Sequence, residues 1–234
     1  MWSIITNSLP QLLWAAVQYT IPLAIISFIL GLILALLTAI IRLTKTKGII
    51  RIIRFIFSFY VWLFRSTPLL VQLFIVYFGL PYLKIKGIFP DGIKLDPFLA
   101  GVLTFSLNTG AYASETIRAA ILAIPKGQWE AAYALGFTSK QTLSRIIIPQ
   151  ALKISIPPLA NSFISLVKDT SLAASITIVE MFEVSQQIAA ENYQPLLMYS
   201  LVALIYALIC TALAWLQNQL ENKFNLNPKE GEVK

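Results

Sequence analysis

The chain has 234 residues, of which 57% are apolar and only 12% are charged, and its net charge is +7. This share of charged residues is too small to keep the surface of a water-soluble domain hydrated. The composition therefore excludes ordinary soluble proteins and predicts an integral membrane protein. The absence of histidine and the single cysteine exclude internal disulfides, Cys/His metal sites and histidine-based catalysis. In a membrane protein, positive charge marks cytoplasmic loops, so we expect no nucleic-acid partner.

Five apolar segments are long enough to cross a bilayer, which takes about 20 helical residues. In chain order they are residues 20–41 (extended outward by 12–19), 52–82, 98–123, 154–179 and 196–217. Pro68 should divide the second segment, and the polar run 168–171 should interrupt the fourth. The sequence therefore predicts an all-α polytopic membrane protein, with a transmembrane domain over residues 1–222 and a short polar cytoplasmic tail over 223–234.

The loop charges predict how the chain is oriented in the membrane. Residues 42–54 contain five positive residues and no acid, and residues 126–153 contain four positive residues and one acid. Residues 169–194 contain four acids and no base. Because positively charged loops stay in the cytoplasm, we expect the N-terminus outside and the C-terminus inside.

The cytoplasmic loop at residues 125–150 is rich in helix formers and small side chains. We expect a short helix over residues 128–135 and a second over 140–148, joined near Gly136, with Thr138 or Ser139 capping the second. Two short helices joined at a glycine suit a rigid element presented to a cytosolic partner. An ordinary connector is the alternative interpretation.

The same loop resembles a family motif. Glu130-Ala131-Ala132, Gly136, Ile146 and Ile148-Pro149 match the EAA motif of permease subunits of ABC importers, with Ile148 in place of the usual Leu. Residues 64–74 (FRSTPLLVQLF), 110–121 (GAYASETIRAAI) and 165–173 (SLVKDTSLA) resemble polar amino acid permeases, although Gly is commoner there than Ser66. Residues 124–132 and 165–173 are similar to L-cystine permeases.

This resemblance implies a type I ABC importer permease fold in a multi-pass protein of a bacterial plasma membrane. It implies a permease that imports a polar amino acid, expected to be L-cystine, with no enzymatic activity of its own. The implied partners are a cytosolic ABC ATPase dimer, a second permease subunit that is identical or different, an extracellular solute-binding protein, the amino acid substrate and membrane lipid.

In the family, the EAA loop forms a coupling helix that docks on the ATPase. The residues that the resemblance assigns to this coupling are Glu130, Ala131, Ala132, Leu135, Gly136 and Pro149. The sequence has no G-x-x-x-x-G-K-[ST] phosphate loop. We therefore expect no cofactor in this chain, with ATP and magnesium bound by the partner ATPase.

Polar residues within the third span are candidates for the substrate pathway, because such residues usually face a cavity or a partner. Asn108, Tyr112 and Glu115 are spaced four and three apart, which places them on one helical face. The alternative is that Glu115 pairs with Arg118 near the cytoplasmic end and that Asn108 bonds between helices.

The run Lys168-Asp169-Thr170-Ser171 is the strongest pathway candidate. Lys168 lies about 22 Å along a helix from Lys153, well inside the bilayer. These side chains could bind both the carboxylate and the ammonium group of an amino acid, as interrupted helices in transporters do. The alternative is a Lys168–Asp169 pair that only holds the subunit interface.

Arg65 and Thr67, beside Pro68, complete the predicted substrate pathway. The alternative for Arg65 is that its side chain extends to the membrane–water interface or bonds a neighbouring carbonyl.

Two other functions stay open at this point. An ion-coupled secondary transporter or channel would use Lys168, Asp169 and Glu115 for coupling, but it would usually show more spans or paired repeats. A non-transporting membrane scaffold would use the small residues of the helices for assembly alone.

Overall fold

The computed structural model describes residues 2–43, 48–84 and 90–223, and these residues form helices and connections without a β-strand. Residue 223 ends the last helix, and the rest of the predicted tail lies outside the described residues. The α-helices are α1 (Trp2–Ala15), α2 (Ile21–Leu43), α3 (Ile49–Ser66), α4 (Leu69–Phe74), α5 (Pro97–Leu122), α6 (Lys126–Ala134), α7 (Ser139–Thr142), α8 (Ile148–Asp169), α9 (Met181–Asn192) and α10 (Pro195–Lys223).

The centre of the fold is the pair α2 and α5, which make the most extensive helix contact. Small residues allow the two backbones to approach closely. A Cβ atom on Gly31 would lie 2.8 Å from the Cβ of Thr109, so only glycine fits at this crossing. This is how membrane helices pack where lipid supplies little hydrophobic driving force between them.

The predicted break at Pro68 is confirmed, and it is sharp. The segments Ile49–Ser66 and Leu69–Tyr82 meet at an angle of 113°. Thr67 is extended, with φ −120° and ψ 147°, because a residue before proline is excluded from the helical region. After α4 the chain continues through a π turn, Ile75–Gly79, and a 3-10 turn, Leu80–Tyr82.

The fourth predicted span begins earlier than the sequence indicated. Helix α7 continues through a π turn, Leu143–Ile147, directly into α8, so Pro149 lies in the first turn of α8. The π turn before α8 changes the hydrogen-bond register at this point, which accommodates a residue that has no amide hydrogen to donate. The helix remains continuous across Pro157 and Pro158 and ends at Asp169.

The predicted interruption near residue 169 is a tightening of the helix followed by a turn. A 3-10 segment, Thr170–Ile176, follows α8, and Thr177 then adopts φ 65°. Helix α9 leaves at 53° to the preceding segment. Its first turn is capped by the buried Glu180, whose carboxylate accepts hydrogen bonds from Thr20 and from Tyr206 of α10.

Within the described residues, two helices are long and apolar enough to cross a membrane alone, Trp2–Leu43 and Pro195–Lys223. Counting each bent pair as one span raises this number to at most four. Helix α5 is not among them, and more than half of its 26 residues are buried, so its neighbours rather than lipid surround it. The five-span arrangement and its orientation stay predictions.

Candidate functional site

An open cavity of about 500 Å³ lies between the start of α4, the middle of α5 and the C-terminal half of α8. We call it the polar cavity. Thr67, Asn108 and Tyr112 line one side. Asn161, Ser162, Ser165 and Asp169 line the other side. The predicted pathway residues Thr67, Asn108, Tyr112 and Asp169 are therefore brought together, although they come from three separate segments.

Helix α8 supplies the polar side of this cavity through its periodicity. Asn161, Ser165 and Asp169 are spaced four residues apart, so they form one ridge on the helix. The sequence analysis missed Asn161, Ser162 and Ser165, and this four-residue spacing ending at Asp169 was the signal that would have identified them. Among the described residues that line the cavity, Asp169 is the one with a charge, and its neighbours there include hydroxyl and amide groups.

Asn108 reaches the polar cavity while it also binds a residue that the sequence analysis missed. Its Nδ2 donates to Oε1 of Gln72 at 2.9 Å. Gln72 is buried, and its Nε2 donates to the carbonyls of Phe64 and Thr67 and to Oγ1 of Thr67, at 2.9–3.0 Å. Gln72 thus satisfies the carbonyl end of α3 at the break, where helical donors are lacking. No short-range motif in the sequence marks this role.

Arg65 does not line the polar cavity, although it contacts a residue that does. Its guanidinium lies 5.5 Å from the centre of the Tyr112 ring, within the range of a cation–π contact. The Tyr112 hydroxyl donates to the Arg65 carbonyl at 3.4 Å. Arg65 therefore supports the wall of the cavity from behind.

The run Lys168–Ser171 is divided between different surfaces. Asp169 lines the polar cavity, whereas Lys168 and Ser171 line a second groove on the other side of α8. Thr170 is fully buried, and its Oγ1 donates to the Val167 carbonyl at 2.7 Å. Lys168 and Asp169 make no ion pair with each other in the described structure. A rotation of about 100° per residue separates the side chains of neighbours on a helix, so four consecutive polar residues cannot all face one cavity.

Glu115 also lies away from the polar cavity. Its carboxylate accepts from Arg42 of α2 at 2.7 Å and forms an ion pair with Arg118. These contacts join the ends of α2 and α5 on the side of the cytoplasmic loop. The alternative interpretation, in which Glu115 pairs with Arg118, therefore describes the contacts of these two residues. Arg42 joins them as a second partner of Glu115, from 73 positions away in sequence.

The cytoplasmic loop forms the first predicted short helix as α6, but the second predicted helix over residues 140–148 is not a separate element, because α7 continues through the π turn into α8. Gly136 follows α6 with φ +80°, a conformation that favours glycine. The side chain of Thr138 caps α7, in a capping box with Gln141. Of the residues predicted for coupling, Glu130, Ala131, Leu135, Gly136 and Pro149 are exposed and Ala132 is buried.

This loop is packed rigidly against the helices that it connects. Trp129 of α6 and Leu143 pack on a cluster formed by Ile121, Ile124 and Ile147. Leu135, by contrast, is 77% exposed. The loop thus exposes the large apolar side chain of Leu135 while its neighbouring segments pack against the helices.

Comparisons with known proteins agree with these features. A family model described as "Binding-protein-dependent transport system inner membrane component" matches residues 47–226. The L-cystine transport system permease protein TcyB of Bacillus subtilis is 48% identical over 96% of this chain and 91% of its own length. The L-cystine transport system permease protein TcyL of the same organism is 36% identical over 92% of this chain and 88% of its own length.

Solved structures show the same fold. A crystal structure of an amino acid ABC transporter with histidines matches with a TM-score of 0.85 and 29% identity, covering 94% of this chain and 96% of that chain. The MetNI methionine ABC transporter in an inward-facing conformation matches with a TM-score of 0.70 and 19% identity, covering 92% of this chain and 98% of that chain. The second likeness concerns the fold alone.

Proposed function

The chain belongs to the family of binding-protein-dependent transport system inner membrane components, and from this premise we propose that it imports L-cystine. It is a multi-pass permease of an ABC importer for amino acids. The substrate proposal is supported by the names of the two relatives and by the chemistry of the polar cavity.

The polar cavity is the observation on which the substrate site depends. An amino acid presents an ammonium group and a carboxylate, and both need hydrogen-bonding partners when water is displaced. Asp169 would accept from the ammonium group, and the amide and hydroxyl groups of Asn161, Ser162 and Ser165 would bind the rest of the polar backbone. A volume of about 500 Å³ falls within the usual range for small-molecule pockets.

The energy for transport would come from a partner ATPase, which would bind ATP and magnesium. The exposed loop residues Glu130, Leu135 and Gly136 would form the contact with that ATPase, and they lie on the rigid base described above. Helix α8 links this contact to the substrate cavity. Residues 139–169 form an uninterrupted helical path of about 45 Å, from α7 through the π turn to Asp169.

This connection supports a mechanism of alternating access. Closure of the ATPase dimer would move the loop, and α8 would transmit the displacement to Asn161, Ser165 and Asp169. The cavity would then open outward to accept substrate from an extracellular binding protein. Hydrolysis would return it to the inward-facing state.

Reconstituted uptake tests the function directly. The permease, its ATPase and its binding protein are placed in proteoliposomes, and uptake of labelled L-cystine is measured with ATP and with an imposed ion gradient. We expect uptake only with ATP and with the ATPase present. Uptake driven by the ion gradient in the absence of the ATPase would instead identify an ion-coupled transporter.

Two glycines provide a matched test of docking. Gly136 and Gly48 both have positive φ, +80° and +70°, and no described atom lies within 4 Å of an added Cβ at either position. Gly136→Trp should abolish co-purification of the ATPase, because the bulky side chain blocks the contact surface. Gly48→Trp places the same side chain at another positive-φ position outside the loop and should retain the ATPase. Equal retention by both variants would contradict the docking role of the loop.

A further inference from the structure

The first two turns of α3 project from the helices around them. We call this segment, Ile49–Ile56, the α3 start. All eight of its residues are exposed, and the first buried residue of the helix is Val61. Six of the eight are isoleucine or phenylalanine, and the other two are Arg51 and Arg54. Neither arginine forms an ion pair with any residue that the structure describes.

Helical periodicity sorts the exposed side chains of α3 into two neighbouring stripes. The apolar stripe follows the spacing i, i+3, i+4, i+7 and i+11, and its members are 38–70% exposed: Ile52, Phe55, Ile56, Phe59 and Leu63. Arg51 and Arg54 are three residues apart and form a basic stripe beside it. The helix therefore presents an apolar surface with two cations along one edge.

The contacts of α3 with α5 show how far the α3 start lies from the middle of the fold. The Tyr60 hydroxyl donates to the Leu107 carbonyl at 2.5 Å. Along α5, Glu115 lies about 12 Å beyond Leu107, and along α3, Arg51 lies about 13 Å before Tyr60. Both distances run toward the side of the cytoplasmic loop, where α5 ends and α3 begins. Arg51 is therefore near the level of the ion pairs of Glu115, and we expect the membrane surface at this level.

The charge around the α3 start selects an anionic partner. The first acidic residue of the whole sequence is Asp91, and residues 42–54 contain five bases. A soluble anion would neutralise the arginines but would leave the apolar stripe in water. A neutral lipid would cover the stripe but would leave the arginines without a counter-charge. An anionic phospholipid supplies acyl chains and a phosphate in one molecule, and basic amphipathic helices bind such lipid surfaces.

From these observations we propose that the α3 start binds an anionic phospholipid at the membrane surface. The guanidinium groups of Arg51 and Arg54 donate hydrogen bonds to the lipid phosphate, a geometry that suits arginine. The acyl chains cover Ile52, Phe55 and Ile56. Contact with lipid in general is expected of any membrane protein, and the two arginines add selectivity for the anionic class.

Native mass spectrometry of the purified permease measures this selectivity. The 26.1 kDa chain is mixed in detergent with equal amounts of phosphatidylglycerol and phosphatidylcholine, and the lipid molecules retained per chain are counted. We expect at least tenfold more phosphatidylglycerol than phosphatidylcholine. The double variant Arg51→Gln/Arg54→Gln should lose this preference, whereas Arg51→Lys/Arg54→Lys should keep most of it because the charge remains.

The matched control removes two charges from another exposed region. Lys84 and Lys94 are both exposed and lie beyond the helix break at Pro68. Lys84→Gln/Lys94→Gln should leave the retention of phosphatidylglycerol unchanged. An equal loss in both double glutamine variants would show a response to net charge alone and would overturn the proposal. Circular dichroism should show the same helix content in all variants.

Photo-cross-linking identifies what covers the α3 start. The photoreactive residue p-benzoylphenylalanine replaces Phe55, which is 70% exposed and lies next to Arg54, and the permease is illuminated in vesicles of the same two lipids. We expect the mass of one chain plus one phosphatidylglycerol, and its loss when Arg51→Gln/Arg54→Gln is added. Equal products with both lipids would overturn the proposal. So would a product at twice the chain mass, which would show a second copy at this surface, or the absence of any product, which would show water.

Discussion

The two cavities on either side of α8 differ in almost every respect. The polar cavity contains one described acid, Asp169, among amide and hydroxyl groups, whereas the second groove contains one described base, Lys168, among rings and small apolar side chains. The two charged residues are neighbours in sequence. Their separation shows that a single helical step directs adjacent charges to different surfaces of the molecule.

The largest expected effect concerns the charge of the polar cavity. Asp169→Asn should reduce L-cystine uptake at least tenfold, because the ammonium group of the substrate loses its carboxylate partner, and a tenfold change corresponds to about 1.4 kcal/mol. Uptake in proteoliposomes measures this. The control is Glu191→Gln, the same loss of charge at an exposed position near the end of α9, which should leave uptake unchanged. Equal losses in both variants would remove Asp169 from the substrate site.

A second prediction tests the packing behind the polar cavity. Gly31→Ala should lower the free energy of unfolding by about 1–3 kcal/mol, because overpacking forces the neighbours apart. The neighbour is Thr109, which also lines the polar cavity, 2.8 Å from the added Cβ. Thermal unfolding in detergent measures the change. Gly127→Ala, where no described atom lies within 4 Å, should not destabilise the protein, and a loss of similar size there would contradict the steric explanation.

A third prediction concerns the hydrogen bonds at the helix break beside the polar cavity. Gln72→Leu should destabilise the chain by about 1–2 kcal/mol, because it leaves carbonyls of the α3 end without a donor. It should also reduce uptake, since Thr67 and Asn108 lose their common partner. Gln187→Leu changes an exposed glutamine whose side chain bonds Glu183 one turn away, and it serves as the control for unfolding. Unaltered unfolding and uptake of Gln72→Leu would show that Gln72 has no positioning role.

The smallest effects come from one serine on each side of α8. Ser165→Ala removes a hydroxyl from the polar cavity. It should reduce uptake about fivefold, because the loss of one hydrogen bond to the substrate costs about 1 kcal/mol. Ser171→Ala removes a hydroxyl that donates to the Lys168 carbonyl beside the second groove. Its effect on uptake should be undetectable, and its effect on unfolding should stay within about 0.5 kcal/mol. A reversed order of the two uptake losses would contradict the assignment of the cavities.

Local features of the sequence were sufficient to predict the structure wherever a single residue type determines the backbone conformation. Pro68 predicted the break between α3 and α4, and Thr138 predicted the start of α7, because proline lacks an amide donor and a threonine hydroxyl supplies an acceptor for one. The extent of α8 was harder to predict. The sequence analysis ended the second loop helix before Pro149, but the π turn at Leu143–Ile147 allows the helix to continue through this proline.

Contacts between distant segments could not be predicted in the same way. The pairing of Glu115 with Arg42 crosses 73 positions, and the bond from Asn108 to Gln72 crosses 36. No short-range spacing encodes either contact. The ridge of Asn161, Ser165 and Asp169 lies between these cases, since its periodicity is visible in sequence but its cavity is not.

Composition and helical periodicity were enough to predict a helical membrane protein, its break at Pro68 and the first helix of its cytoplasmic loop, because each depends on residues within a few turns of one another, and the resemblance at the EAA motif added the permease family. Only the packing of α4, α5, α8 and α10 decided that Asp169 faces the polar cavity, that Lys168 faces the other groove and that Glu115 binds two arginines. The physical reason is that the rotation of a helix about its axis depends on which neighbours bury it, and those neighbours are distant in sequence.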